Sequence, residues 1–336
     1  MPKWLAEAER DFALAPDARL VMLPQAASGA YLIRSIQFKK IGSAPALPGF
    51  SLVASGVAGD QSLLFLFESS EDSASTAAAL RASGVLPHPK MERLKRYRLL
   101  QSTAGSELWI DLPPLDLGHS HIDLFPDRRV LLASRRHNWR AEADADLNGV
   151  IFDPRTGRAD RVGLGDAISD LQIDDRGRIW IGYFDEGVFG SSVGQAGLVC
   201  FSALGGKVWE FPADADHTID DCYALNVAGA EAAIFFYSDF PLYRIGADFE
   251  LTWKQTKLRG CHAFAMSETE ILFSGQYDDP PNVAYIGRLD REGMILVRRA
   301  YLLMPDGSAR PPGRLQGRGR HLYHFGEDGI YRATVG

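Results

Sequence analysis

Short apolar runs separated by turn residues are the dominant pattern along this chain. In the clearest stretch, apolar runs at 168–173, 178–183, 197–201 and 207–211 alternate with turns such as Asp174-Asp-Arg-Gly177. Runs of this length, rich in β-branched and aromatic residues and bounded by Gly and Asp, predict β-strands. The stretch therefore predicts an antiparallel meander of four strands, which we term a, b, c and d in chain order.

The same order of four strands recurs along the chain. Similar units cover residues 50–112, 121–164, 219–258 and 261–303, and the predicted b strands begin at residues 63, 130, 179, 234, 271 and 322. Repeats of about 40–50 residues with four strands each are typical of β-propellers. The sequence therefore predicts an all-β fold, a six-bladed β-propeller in preference to a seven-bladed one.

The N-terminal region and one insertion fall outside this repeat. We expect residues 1–17 to form a helical extension and residues 18–336 to form a single propeller domain. A helical insertion is predicted near residues 70–84, where Ser69 and Asp72 resemble a capping box. The last unit shows only two strands, at 320–325 and 330–335, so one of the N-terminal runs 19–23 and 31–38 should complete its blade.

One stretch also carries a family resemblance. Residues 168–182 contain the pattern D-x-x-G-x-I-W, formed by Asp174, Gly177 and Trp180 among others. This stretch resembles blades of the two-component-regulator and streptogramin-lyase types of propeller. The resemblance implies a propeller architecture, and it leaves the chemistry open because several unrelated activities use such rings.

The composition excludes several classes of protein. Acidic residues exceed basic ones, with 43 against 36 and a formal charge of -7, which disfavours a nucleic-acid partner. The three cysteines form no CxxC pair, and no apolar run is long enough to span a membrane. We therefore expect a cytoplasmic protein with no membrane and no nucleic-acid partner, which binds a small molecule or peptide or docks another protein.

The long loops predict which face of the ring carries a site. In an antiparallel meander the b–c and d–a connections share one face, and here four of the b–c connections are long, which favours binding on that face. The polar residues predicted at the d–a junctions and at the ends of the b strands fall on this face, and those selected as candidates are His119, His121, Asp170, Asp220, Asp221, His262, Tyr183, Asp185, Asp239 and Tyr277. Trp139 lies on a long loop of the same face among arginines.

Three kinds of chemistry fit these residue types. His121, Asp170, Asp221 and His262 could ligate a divalent metal, the one cofactor that the sequence suggests. Alternatively His121, His262 and Asp221 could act as catalytic acids and bases in a hydrolase or lyase, with or without that metal. The third reading is binding of a polar small molecule or peptide at the channel mouth, without catalysis.

The sequence favours the binding reading and leaves the question of an enzyme open. In this reading the ligand would contact His119, Asp170, Asp220, Tyr183, Asp185, Asp239, Tyr277 and Trp139. A protein-interaction scaffold is a further alternative.

Overall fold

The computed structural model describes residues 34–72, 94–116, 118–136, 147–190, 193–289 and 295–336. Within these ranges the strands form six separate sheets; four are antiparallel meanders of consecutive strands, and the other two each add one strand from the N-terminal side. The prediction of a six-bladed β-propeller is confirmed. No helix in the described part of the chain is both long and apolar enough to cross a membrane.

The first three blades each have four strands, and the strands follow the predicted order from the channel outward. They are β3 (Phe50–Val57), β4 (Leu63–Ser69), β5 (Tyr97–Thr103), β6 (Ser106–Asp111), β7 (His121–Leu124), β8 (Val130–Ala133), β9 (Gly149–Asp153), β10 (Arg158–Val162), β11 (Ile168–Ile173), β12 (Ile179–Tyr183), β13 (Leu198–Phe201) and β14 (Lys207–Glu210). A short helix, Asp185–Val188, follows β12.

The other three blades include two strands that come from the N-terminal side. They are β15 (Asp221–Ala228), β16 (Glu231–Tyr237), β17 (Pro241–Ile245), β18 (Leu251–Gln255), β19 (Phe264–Met266), β20 (Glu270–Ser274), β21 (Val283–Leu289), β22 (Ile295–Leu303), β23 (Arg314–Arg318), β24 (His321–Phe325) and β25 (Ile330–Thr334), with β1 (Arg34–Gln37) on blade 5 and β2 (Lys39–Gly42) on blade 6.

The ring closes through an N-terminal strand, as predicted, but with a different segment. Strand β2 pairs with β25 and supplies the outer strand of blade 6. The described part of the predicted run 31–38 forms β1, which instead pairs in parallel with β22 on blade 5. Phe38 lies between the two strands and is buried, which holds the segment against both blades.

Blade 6 also contains a strand that the sequence pattern missed. Strand β23 carries the inner edge of this blade, whereas the expected unit began only at residue 320. The run Arg-Leu-Gln-Gly-Arg is too polar to register as an apolar strand, and its polar side chains face the channel. The N-terminal extension and most of the predicted helix near 70–84 lie outside the described residues, although residues 70–72 are helical.

Burial follows the position of a strand within its blade. Strand b is buried throughout in several blades, as in β4 and β12, because both of its faces pack against neighbouring sheets. The outer strand β14 is largely exposed. The D-x-x-G-x-I-W motif is structural: Asp174 accepts hydrogen bonds from Arg178 Nε (2.6 Å) and from Trp180 Nε1 (3.0 Å), which ties the turn to the strand that follows it.

Buried polar side chains fill the middle of the channel. Arg318 of blade 6 lies 3.4 Å from the carboxylate of Asp123 on blade 2 and donates to Gln172 Oε1 on blade 3 at 3.0 Å. Gln172 Nε2 donates to the carbonyls of Leu225 and Gly317, and Asn226 Nδ2 donates to Phe264 O. We refer to Asp123, Gln172, Asn226 and Arg318 as the channel plug, which links five blades across the axis of the ring.

Candidate functional site

A cavity of about 530 Å³ opens at the channel mouth on the face of the long loops. Side chains from five blades line it, and they are Ser120, His121, Arg135, Ser169, Asp170, Phe184, Asp185, Asp221, Cys222, Tyr223, His262, Arg314, Leu315 and Gln316. The plug lies directly below, because His121, Asp170 and Gln316 stand two residues before Asp123, Gln172 and Arg318 on the same strands. The cavity therefore has a closed floor.

Two β-bulges shape the wall of this cavity. A regular strand turns alternate side chains to opposite faces, yet the consecutive residues Asp221, Cys222 and Tyr223 all line the cavity. The register of β15 shifts between Cys222 and Ala224, and that of β11 shifts between Ile168 and Asp170. A bulge inserts one extra residue and re-aims its neighbours. More polar groups therefore reach the cavity than strand alternation alone would allow.

His121 is held as a neutral ring with both nitrogens occupied. Nε2 lies 3.3 Å from Ser169 O, and since a carbonyl can only accept, Nε2 carries the proton. Nδ1 lies 3.1 Å from Ser120 Oγ, which in turn accepts from the backbone N–H of Arg135 and so donates to the ring. Burial lowers the pKa of His121 to about 4, and the charges of Arg314 and Arg135 act in the same direction.

Carboxylates from blades 3 and 4 face the cavity with raised pKa values. Burial raises the pKa of Asp170 to about 6, although its oxygens accept from the backbone N–H groups of Leu171 (2.9 Å) and Leu225 (3.3 Å). Burial, and then the charge of Asp185, raise the pKa of Asp221 to about 6, while Arg135 opposes the rise. Among the described residues, the Asp221 carboxylate has no hydrogen-bond partner.

Two arginines that were not among the candidate residues add positive charge to the cavity lining. The guanidinium of Arg135 lies 4.8 Å above the ring of Phe184. Arg314 Nη1 donates to Ser55 O and, at 2.9 Å, to Ser55 Oγ on blade 1, and its Nη2 donates to Gln316 Oε1 at 3.1 Å. Both stand out in the sequence only as members of basic stretches, which are usually solvated surface.

An aromatic wall adjoins the carboxylates. The hydroxyl groups of Tyr223 and Tyr277 are hydrogen-bonded to each other, and the ring of Phe240 packs edge-on against both. Tyr277 is 51% exposed and Tyr237 is 45% exposed, so this wall is open to solvent above the cavity. The wall places apolar surface beside the polar floor of the cavity.

The structure gathers five of the predicted residues in this cavity, namely His121, Asp170, Asp185, Asp221 and His262. Tyr277 stands at the rim through its contact with Tyr223. His262 is exposed, with Nδ1 at 3.3 Å from Gly260 O. Their convergence follows from the strand order, which brings the start of each strand a and the loop after strand b to the same face.

Four other predicted residues do not line the cavity. Tyr183 is buried and its hydroxyl donates to Leu164 O, so it braces its own blade. Asp220 accepts from Ser238 Oγ at 2.5 Å within blade 4. Asp239 is exposed in the loop after β16, where its backbone φ is 61°. Trp139 lies outside the described residues.

His119 is the fourth described residue that does not line the cavity, and it is buried between blades 1 and 2. It is 3% exposed, packs edge-on against Tyr97, and neither ring nitrogen has a hydrogen-bond partner in the described part of the chain. Burial lowers its pKa to about 3. The short spacing between His119 and His121 suggested that both would reach the channel mouth, but only the residue at the start of β7 does so.

The four proposed metal ligands surround the cavity without forming a metal centre. In the described part of the chain, no group of three or more His, Cys, Asp or Glu side chains could hold an ion. The reason is visible in the contacts: His121 bonds Ser169 O and Ser120 Oγ, and Asp170 bonds two backbone N–H groups. These donor atoms are directed at the protein itself.

The cysteines offer no activated nucleophile. Cys222 lines the cavity but is buried, and burial raises the pKa of its thiol. Burial also raises the pKa of the Cys261 thiol to about 12. A thiol must ionise to attack, so both act as small apolar residues at neutral pH.

Comparison with known proteins gives a fold-level likeness. Residues 193–333 match the sequence model of the YxzG family. Virginiamycin B lyase from Staphylococcus aureus is 11% identical, with 89% of this chain and 99% of that chain covered and a TM-score of 0.46. Hsv2 from Kluyveromyces lactis is 10% identical, with 82% and 71% covered and a TM-score of 0.48. No curated protein matches the chain.

A third structure, described as a putative gluconolactonase, is 12% identical, with 89% of this chain and 92% of that chain covered and a TM-score of 0.44. The presence of streptogramin-type lyases among these structures agrees with the resemblance of residues 168–182, at the level of the fold. Since such rings host unrelated activities, the function has to be argued from the cavity itself.

Proposed function

We propose that this propeller binds a polar small molecule or peptide in the channel-mouth cavity. The observation that carries the proposal is the Asp221 carboxylate, which faces the cavity with a pKa of about 6 and without a hydrogen-bond partner among the described residues. Asp221 is only partly buried, so water can solvate its carboxylate, but a carboxyl with a perturbed pKa in a cleft is typical of functional sites. A ligand that donates to Asp221 would supply the missing partner.

The shape of the cavity supports a ligand of limited size. Its volume of about 530 Å³ lies within the range of small-molecule sites, and the plug closes its floor. Polar groups from five blades converge there, whereas a flat protein-docking surface would need a broad apolar patch. This arrangement favours binding in the cavity over a scaffold without a ligand.

Acid–base catalysis, as in a hydrolase or lyase, is a second candidate because the negative charge of Asp185 acts on the carboxyl group of Asp221. A carboxyl whose pKa is raised to about 6 by burial and by a second carboxylate can hold or release a proton near neutral pH. His121 is less suited to this role than Asp221, since both of its nitrogens are bonded and it stays neutral. The acid in such a reaction would be Asp221.

A thermal-shift screen tests the binding proposal. The panel contains amino acids, short peptides, sugars, sugar acids and polyamines, and bound ligand raises the melting temperature by mass action. We expect at least one class to stabilise the protein and to lose that effect in Asp221→Asn. The matched control is Asp160→Asn, which removes an exposed carboxylate that contacts Arg158 on the outer strand β10.

The result decides between the two candidates as well. If every stabilising compound acts equally on the protein and on Asp221→Asn, the cavity is not the binding site and the proposal is wrong. Mass spectrometry of each stabilising compound after incubation shows whether it is converted. Conversion that is lost in Asp221→Asn and kept in Asp160→Asn would favour the enzyme.

A further inference from the structure

Opposite charges lie on opposite sides of the cavity. The ring order follows the chain, so blades 3 and 4 stand across the channel from blades 6 and 1. Asp185 and Asp221 belong to blades 3 and 4, whereas Arg314 belongs to blade 6 and is bonded to Ser55 of blade 1. Asp185 and Asp221 therefore lie across the channel axis from Arg314, while Arg135 stands over Phe184 and its charge acts on Asp221.

The acidic side has the features of a site for an ammonium group. Asp221 has no ion-pair partner among the described residues, and the only hydrogen bond there to the Asp185 carboxylate comes from the N–H of Glu186, at 2.8 Å. The ring of Tyr223 lines the same part of the cavity, whereas the ring of Phe184 is already covered by the guanidinium of Arg135. Carboxylates beside aromatic faces favour a cation through ion pairing and cation–π attraction.

The basic side has donors to spare for an anion. The guanidinium of Arg314 has five N–H donors, of which the contacts to Ser55 and Gln316 occupy three. No carboxylate in the described part of the chain lies within ion-pair distance of it. Because these contacts fix the planar group at the edge of the cavity, it is oriented before a ligand arrives, which suits recognition of a carboxylate.

We propose that the cavity takes a zwitterionic ligand, a short peptide with free termini, whose ammonium lies between Asp185 and Asp221 and whose carboxylate lies on Arg314. The inference rests on the proposed function and specifies its ligand class. A volume of about 530 Å³ accommodates more than a single amino acid. The exposed rings of Tyr277 and Tyr237 continue the wall for the apolar part of a peptide.

Calorimetric titration with one peptide and its blocked forms tests this assignment. The probes are alanyl-phenylalanyl-alanine with free ends, the N-acetylated form and the C-terminal amide. Hydrogen bonds to charged groups contribute enough that blocking either end should weaken binding roughly tenfold or more. Asp221→Asn should weaken the free peptide by a similar factor and leave the N-acetylated form unchanged. Arg314→Gln should weaken binding of the free peptide by a similar factor and leave binding of the C-terminal amide unchanged.

Each outcome separates the ligand class from the binding function. Equal affinity for free and blocked peptides overturns the zwitterion assignment and leaves the cavity as a peptide site. If no probe binds while another class in the thermal-shift panel depends on Asp221, the assignment falls and the proposed function stands. Circular dichroism verifies that each variant folds, and Asp185→Asn replaces Asp221→Asn if the latter does not. Arg158→Gln, an exposed arginine on β10, is the matched control for Arg314→Gln.

Discussion

At the scale of single residues, the cavity is distinguished by carboxyl groups whose pKa values are raised, because their surroundings disfavour the ionised form. Burial is the largest cause of the raised pKa of Asp221, and the nearby charge of Asp185 adds to it. Such a group reduces the stability of the folded protein at neutral pH. A protein retains a feature of this kind where function needs it, which is consistent with a ligand site at the channel mouth.

The first prediction concerns the pH dependence of stability at Asp221. Its pKa is about 6 in the folded chain and near 3.8 in the unfolded one, so the folded state binds its proton more tightly. The resulting stabilisation is complete below about pH 4 and is lost as the pH rises through 6. Asp221→Asn should therefore raise the free energy of unfolding at about pH 7.5, by roughly 1 kcal/mol after allowance for solvent screening, and change it little at about pH 4.

Urea unfolding of both proteins at the two pH values measures this difference. The other charged or titratable groups that line the cavity are common to both proteins, and they are His121, Arg135, Asp170, Asp185, Cys222, Tyr223, His262 and Arg314. Asp160→Asn should leave the stability unchanged at either pH. An identical change for Asp221→Asn at both pH values would contradict the assigned pKa shift.

At the scale of elements, the closing strand shows how a short segment can complete a ring. Strand β2 pairs over Lys39–Gly42 with β25, and the adjacent β1 extends blade 5. Without them, β25 would present a row of unpaired backbone groups, and blade 6 would keep only three strands. Phe38, which is 1% exposed, would also leave its place in the core.

The second prediction follows from this pairing. Deletion of residues 1–42 should lower the free energy of unfolding by roughly 3–5 kcal/mol, because ladder hydrogen bonds and a buried phenylalanine are lost. Deletion of residues 1–33 leaves both strands intact and serves as the control. Thermal unfolding and light scattering measure the difference. Equal stability of the two truncated proteins would show that blade 6 does not need its fourth strand.

At the scale of the whole molecule, the plug joins blades that are far apart in the chain. Arg318 of blade 6 contacts Asp123 of blade 2 and Gln172 of blade 3, all of them buried. Burial raises the pKa of Asp123 to about 6, while the charge of Arg318 and two backbone N–H groups hold it down. A buried ion pair adds little net stability, but its loss on one side leaves a buried charge without a partner.

The third prediction tests this coupling. Asp123→Ala should destabilise the protein by roughly 3–5 kcal/mol at neutral pH, because the Arg318 guanidinium stays buried without its carboxylate. The double variant Asp123→Ala/Arg318→Ala should cost less than the sum of the single changes, since the two residues interact. Disruption of the exposed Arg158–Asp160 pair should cost less than about 1 kcal/mol. Urea unfolding measures these losses of stability. A loss in the double variant equal to the sum of the losses in the two single variants would contradict the coupling.

The sequence by itself determined most of the strands, their order within each blade and the face on which the polar residues collect. These features follow from local rules, because strand alternation and turn chemistry act over a few residues, as in Asp174-Asp-Arg-Gly177. The convergence of His121, Asp170 and Asp221 could be expected from strand direction alone.

The tertiary structure alone decided which neighbours complete the site. The pairings of β1 and β2 depend on blades about 265–295 residues further along the chain. Arg314 is held at the cavity by Ser55 of blade 1, which lies 259 residues earlier in the chain, and its own strand β23 is too polar to recognise by pattern. Contacts of this range are set by the packing of the whole ring, and no local pattern of polar and apolar positions encodes them.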